Sequence, residues 1–208
     1  MCDEGAIHNR EATRAQQQAS QVACLERAGY TNICPIPKKW GRPLCTCIHP
    51  SGVPGIAKLY DEVPSAVHFL DRIQRCLPEG IVCPSVLSED LIAGPDRICV
   101  VYTFIEGVSL EQTDPDRSLI TGLSKGKRQE ILARIGTALD TLHSHEFWHG
   151  DIQGGNVVYN AAHDVIGFID WDLACCGQPT HLQDKMDNIG KEFLECQLEL
   201  HSVVNSTA

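Results

Sequence analysis

The chain has 208 residues, 17 basic against 27 acidic side chains, and a formal charge of −10. That charge opposes attraction to nucleic-acid phosphates and to anionic membrane surfaces, and no apolar run approaches the ~20 residues needed to cross a bilayer. The length allows one sizeable domain, or two small lobes, with a true hydrophobic core. Eleven cysteines are an odd number, lack the paired CxxC spacing of a zinc module and follow no secretory leader, so reduced thiols in a cytoplasmic, intracellular setting are the expectation.

In chain order, residues 1–28 read as an N-terminal extension of helical character that ends at Gly29. Three strands follow, NICPIP, PLCTCIHP and GIAKLY, joined by the turns PKKWGR and SGVPG. Cys45 and Cys47 alternate with their neighbours in LCTCI and read as core filling, not as metal ligands. DEVPSAVHFLDRIQRCLPEG spaces Val67, Leu70, Ile73 and Leu77 as a helix, stopped by Pro78 and Gly80. VCPSVLSEDLIAG and RICVVYTFIEG are two further strands, the second well buried.

Helices then dominate. SKGKRQEILARIGTALDTLHSHEF places Ile131, Ile135, Leu139 and Leu142 on one face of a helix of about twenty residues. HGDIQGGN is a loop by its glycines, NVVYN and VIGFID are short strands around an AAHD turn, and MDNIGKEFLECQLELH is a closing helix. The adjacent Cys175 and Cys176 fall in a loop with no evident ligand set around them.

The chemistry concentrates in this second half. If the two short strands pair as a hairpin, Asp151, Asn156 and Asp170 come to one end of it. A hard divalent ion such as Mg²⁺ takes one or two protein oxygen ligands and fills its shell with water and substrate phosphates, a task that suits Asn156 and Asp170. Asp151 is then the acid that orients a hydroxyl and accepts its proton during in-line phosphoryl transfer. Lys58, in the apolar strand GIAKLY, supplies a cation for nucleotide phosphates.

Residues 30–200 resemble the protein-kinase-like superfamily, with the motifs in family order. GIAKLY is similar to the third-strand lysine motif, which implies Lys58 on the phosphates and Ala57 lining the adenine pocket. VVYTFIEGVSL resembles the fifth strand and hinge; the resemblance implies Tyr102 as gatekeeper, with Thr103 and Ile105 lending backbone groups to adenine. HGDIQGGN resembles the catalytic loop, IDWD stands in the place of the Asp-Phe-Gly metal motif with Asp170 as its aspartate, and Asp187 in KMDNIG looks like the aspartate that braces the catalytic loop.

Several positions depart from that pattern. Gly150 replaces the arginine that reads a phosphorylated activation loop, Gln153 stands where Ser/Thr kinases place a lysine, Asp172 replaces a glycine, and no Ala-Pro-Glu follows. The nucleotide-covering loop has one glycine, Gly41, with Lys38 or Lys39 as electrostatic substitutes. The helix over 63–77 offers no glutamate to Lys58; Asp71 is the nearest acid, with Glu62 and Glu79 at the ends. His-Gly-Asp with Ile-Asp-Trp is similar to aminoglycoside and choline phosphotransferases, the fuller IDWDLA to fungal-type protein kinases, and the size to small atypical kinases of the Bud type.

The resemblance implies an α+β, two-lobed fold: a five-stranded antiparallel N-lobe over 29–107 and a shortened helical C-lobe over 108–208, with ATP and Mg²⁺ in the cleft. The implied activity is γ-phosphoryl transfer to a hydroxyl, with a protein serine or threonine first among acceptors. A small-molecule phosphotransferase and a non-catalytic pseudokinase scaffold are the alternatives. Trp171 reads as a core anchor, and of His143, His145 and His149 only the last reads as a brace of the loop.

Overall fold

Residues two apart on three strands build the core of the first half of the chain. Cys45 and Cys47, Ala57 and Leu59, and Cys99 and Val101 each point to one face of their strand, and all six are buried with Cys24, Leu25 and Tyr30 in one cluster. This is seen in a computed structural model that describes residues 4–37, 42–94, 97–111, 122–179, 187–188 and 190–191, with side chains described from residue 12 onward except at 90 and 94. In chain order the first elements are α1 (Glu4–Arg27), β1 (Thr31–Ile36), β2 (Leu44–Ile48), β3 (Pro54–Tyr60), α2 (Leu70–Cys76), β4 (Ile81–Val82), β5 (Val86–Gly94) and β6 (Arg97–Thr103). Then come β7 (Val108–Ser109), α3 (Lys125–Ser144), β8 (Phe147–Trp148), β9 (Val157–Asn160), β10 (Val165–Phe168) and β11 (Cys175–Cys176).

Two compact units result. The first, Met1–Val67 with Ser85–Phe104, holds a five-stranded sheet in the order β1-β2-β3-β6-β5, antiparallel throughout. The second, His68–Pro84 with Ile105–Ala208, holds a four-stranded sheet in the order β4-β10-β9-β7 and the small pair β11-β8.

Within the first unit α1 packs on β1 and β5 and closes the buried face of the sheet. It ends where the sequence indicates: Gly29 sits at φ +81°, its N–H donates to Glu26 O at 3.0 Å, and the Tyr30 N–H donates to Leu25 O at 3.0 Å. A buried amide seals the contact, since Gln21 Nε2 donates to Ala57 O at 3.1 Å. Through Gln18, Gln21, Cys24 and Leu25 the second half of α1 is therefore part of the wall of this unit, where composition alone suggests only an appended helix.

The cysteines behave as small apolar residues. All nine described cysteines are free thiols, and burial raises the pKa of Cys45 and Cys47 to about 11 and of Cys99 to about 12. Thiolate chemistry is suppressed there.

The second unit differs from the sequence reading in two boundaries. The helix expected over 61–80 is confined to Leu70–Cys76, preceded by a 3-10 turn at Ser65–His68. Pro64 stands before that turn, and Phe69 at φ −134° makes no side-chain cap that would extend α2 toward the N-terminus. The strand expected over 82–94 is divided at Pro84: Ile81 and Val82 run parallel to β10 in the second unit, while β5 joins the first. Proline has no N–H to continue a ladder. Helix α3 buries Ile131, Ile135, Leu139 and Leu142 as their spacing indicates, and Ser124 Oγ caps it by accepting from the Lys127 N–H at 3.2 Å. Of the closing helix over 186–201, residues 187–188 and 190–191 are described as helical and the others lie outside the described residues.

Candidate active site

β9 and β10 form the antiparallel hairpin required to gather the candidate residues, pairing Val157 with Phe168 at its open end. Immediately before β9 lies the loop 149–156 and immediately after β10 lie Ile169 and Asp170. The Ile169 N–H donates to Asn156 O at 2.9 Å, fastening the two segments together at one candidate metal ligand and one residue before the other, Asp170. Both Asp151 and Asp170 also act electrostatically on the same His149 ring.

Asn156 is buried, and its Nδ2 donates to Asp151 O at 2.9 Å and to Asp151 Oδ2 at 2.8 Å. Gln153 Nε2 donates to the same carboxylate oxygen at 3.0 Å. Two amides thus fix one side of the Asp151 carboxylate. Because Asn156 spends its Nδ2 on Asp151 and its Oδ1 accepts no hydrogen bond among the described residues, that oxygen keeps the lone pairs an oxygen ligand requires. Asp170 occupies the left-handed region, φ 64° and ψ 62°, a conformation uncommon outside glycine and tolerated by aspartate. Among the described residues no three His, Cys, Asp or Glu side chains cluster as a metal cage. A pair of oxygen donors beside a held carboxylate fits Mg²⁺, which keeps most of its shell for water and phosphate.

The loop is held from behind by Asp187. Its side chain is buried; Oδ1 accepts from the Gly150 N–H at 2.8 Å and Oδ2 from the His149 N–H at 3.0 Å, with His143 Nε2 3.3 Å from Oδ2. Of the three histidines, His143 and His149 therefore meet Asp187, one by its ring and one by its backbone. His149 Nε2 donates to Ile169 O at 3.0 Å, and the ring stacks obliquely 4.4 Å from that of Trp171. Burial pushes the His149 imidazole below its ordinary pKa, against the opposing pull of Asp187, and Nδ1 is buried with no hydrogen-bond partner among the described residues. Trp171 is a core residue: it is buried and its Nε1 donates to Phe168 O at 2.9 Å.

The glycine in His-Gly-Asp has a local cause. Gly150 adopts φ +79°, and a Cβ there would lie 2.5 Å from Leu173 O. No arginine can occupy that backbone. Gly190 is similarly confined, since a Cβ would collide with the Ile152 carbonyl.

In the first unit, Lys58 lies on β3 between Leu44 of β2 and Val100 of β6. Ala57 does not share its face. Ala57 is buried in the α1 core, whereas the side chains on Lys58's face of β3 belong to Ile56 and Tyr60. Strand alternation therefore puts Ile56, and not Ala57, on the face of β3 that carries Lys58. Tyr102 pairs across from Ile56, and its hydroxyl lies 3.3 Å from that of Tyr60.

Backbone donors near the expected hinge are partly committed. The Thr103 N–H donates to Ser85 O at 2.8 Å and the Phe104 N–H to Pro54 O at 2.9 Å, so Thr103 can offer adenine its carbonyl and not its N–H. The division between units falls at Phe104 and Ile105. The Ile105 side chain covers Gly167 of β10, where a Cβ would lie 2.6 Å from its Cγ2. Asp71, Glu62 and Glu79, the acids nearest the expected lysine partner, are all exposed. Lys38, Lys39 and Gly41 lie outside the described residues.

One carboxylate near the loop has no counterpart in the motif reading. Glu111 Oε2 lies 2.9 Å from the position a Cβ on Gly155 would take, and the Glu111 N–H donates at 3.0 Å to Ser109 Oγ, which itself donates to Gly154 O at 2.9 Å. Only a fold that sets β7 beside β9 could reveal it.

No protein-family model matches the chain, and no curated protein matches it. Among solved structures, the kinase PK-1 of the Cydia pomonella granulovirus superposes with a TM-score of 0.56, at 14% identity, over 83% of this chain and 59% of that one. The chain thus spans 59% of that kinase's length. At this identity the likeness defines the fold: the protein has a mixed α+β, protein-kinase-like fold with an antiparallel five-stranded sheet in one unit and the β9–β10 hairpin in the other. No described helix is long and apolar enough to cross a membrane.

Proposed function

We propose that the protein is an ATP-dependent, Mg²⁺-assisted phosphotransferase that moves the γ-phosphoryl group to a hydroxyl. The observation that carries this reading is the held Asp151: a carboxylate fixed by Asn156 and Gln153 on one oxygen, in a loop whose own N–H groups are gripped by buried Asp187. A merely structural aspartate in a loop bonds backbone N–H groups; here the donors among the described residues are side-chain amides, and the residue remains half-buried. Its other oxygen is directed to accept the proton of an acceptor hydroxyl as the oxygen attacks the γ-phosphorus and the bond to the ADP oxygen breaks.

Bound Mg²⁺ would neutralise charge developing on the β- and γ-phosphate oxygens. Asn156 Oδ1 and the Asp170 carboxylate are the groups that would hold it. Lys58 is assigned to the nucleotide phosphates, and Ile56, the Thr103 carbonyl and the Ile105 N–H to adenine. A protein serine or threonine is the first acceptor class. Small hydroxylated molecules form the second, favoured by Gly150, whose backbone excludes the arginine used to read a phosphorylated activation segment.

The test is direct. Purified protein is warmed with and without millimolar MgATP, since a ligand of the native state raises the melting temperature by mass action, and labelled phosphate transfer is followed to protein and amino-alcohol acceptors. Stabilisation and transfer that both require Mg²⁺ are expected. A chain indifferent to MgATP is a scaffold and not a transferase.

A further inference from the structure

Resting on the nucleotide reading of Lys58, we infer that Arg42, stacked on Tyr60, is a second cation for the phosphate chain. Leu44 of β2 pairs with Lys58 of β3, and that antiparallel register carried two residues back sets Arg42 level with Tyr60. The contact is made: the guanidinium carbon of Arg42 lies 4.7 Å from the centroid of the Tyr60 ring. Tyr60 is two residues on from Lys58 and shares its face of β3. The two cations thus stand on one face of the sheet, their rungs about 7 Å apart along the strands.

The platform under Arg42 is built into the sheet. Tyr60 ends β3, yet it is 2% exposed, and its hydroxyl lies 3.3 Å from that of Tyr102, which is itself buried on β6. A buried ring tethered at its hydroxyl gives the exposed Arg42 side chain one place to lie. Stacking occupies a face of the guanidinium and none of its five in-plane N–H donors, whose fork matches two oxygens of a phosphate. Leu44, Val100 and Ile98, the cross-strand neighbours of Lys58 and Tyr60, bring no carboxylate between the two cations.

The sequence around Arg42 gives this arrangement a purpose. PKKWGRP contains one glycine, and so little of the backbone freedom with which amides close on an anion. Arg42 follows that glycine and brings side-chain donors instead. The chain's formal charge of −10 repels a polyphosphate, and paired cations on one face offset that repulsion locally.

The full chain is titrated with MgATP and, separately, with adenosine, which lacks phosphates. Arg42→Gln is expected to raise the Kd for MgATP at least about tenfold and to leave that for adenosine within about twofold. The deficit should shrink as salt screens the exposed charge. Arg42→Lys should recover only part of the loss, because an ammonium has no planar fork. Tyr60→Leu, which removes the platform, should weaken MgATP in the same direction, whereas Tyr60→Phe keeps the ring and most of the affinity.

An Arg42→Gln protein that binds MgATP as the wild type does overturns the inference. So does one that loses MgATP and adenosine in equal measure, which makes Arg42 a prop of the fold. In both cases nucleotide binding by the wild type stands. A wild type that binds no MgATP removes the transferase reading, and this inference with it.

Discussion

The two units are held together by different physics. In the first, a helix and four strands share a layer of cysteine, leucine, alanine and valine, with hardly a charge in it. In the second, the loop 149–156 is positioned by one buried carboxylate, Asp187, and by a short set of directional bonds. Apolar layers resist small changes by spreading them over many contacts. A polar brace gives angular precision but concentrates its dependence on one residue.

The largest effect separating the two regimes is expected at Asp151. Asp151→Ala should lower phosphate transfer by ~10²–10⁴-fold, the range for a lost general base, while the melting temperature stays close to wild type because the residue is not a core element. A loss of stability matching the loss of activity would show that Asp151 belongs to the brace and not to the chemistry.

In the first unit, Leu25→Ala empties a fully buried position beneath the sheet and should cost ~2–5 kcal/mol in denaturant titration. That outcome would make α1 an integral wall; a change under ~1 kcal/mol would return it to the status of an appended helix. Asp187→Ala, the counterpart in the second unit, strands the N–H groups of His149 and Gly150. About 1–3 kcal/mol is expected, with transfer falling by more than unfolding explains. Equal effects on activity from Leu25→Ala and Asp187→Ala, at equal fraction folded, would erase the contrast between units.

The smallest effect lies at the far end of the hairpin. Asp164 Oδ1 accepts from Lys127 Nζ, Arg134 Nη1 and the Tyr159 hydroxyl, each at 2.9 Å. The Lys127 hydrogen bond chiefly, with those of Tyr159 and Arg134, lowers its carboxyl pKa to about 2 from an ordinary 3.8. A depressed folded-state pKa contributes stability above the unfolded value, and that contribution is lost as pH falls from about 4 toward about 2. The cluster is solvent-exposed, so screening keeps the effect under ~1 kcal/mol. Asp164→Asn should lower neutral-pH stability by that same small amount, flatten the acid limb to match and leave transfer almost unchanged; a neutral-pH loss well above ~1 kcal/mol would mark the cluster as a structural keystone.

Much of this was legible in the residues. Periodicity located α3 and the hairpin strands, Gly29 marked the end of α1, and the order Lys58, His149-Gly150-Asp151, Asn156, Asp170 and Asp187 carried the kinase-like resemblance. The differences have physical origins. The motif takes Ala57 and Lys58 together, although adjacent strand residues face opposite ways. The helix and strand around Pro64 and Pro84 were overextended because hydrophobic spacing continues where a backbone N–H does not.

The sequence by itself determined which groups are chemically able to act, because side-chain type, spacing and turn residues are local properties of the chain. Only the tertiary structure decided which of them meet. The grip of Asp187 on Gly150, the assignment of β4 to the second unit, the docking of Gln21 on the Ala57 carbonyl and the placement of Glu111 over Gly155 all join residues distant along the chain. Such contacts depend on the closure of long loops around a shared core, and that closure has no signature in any single stretch of residues.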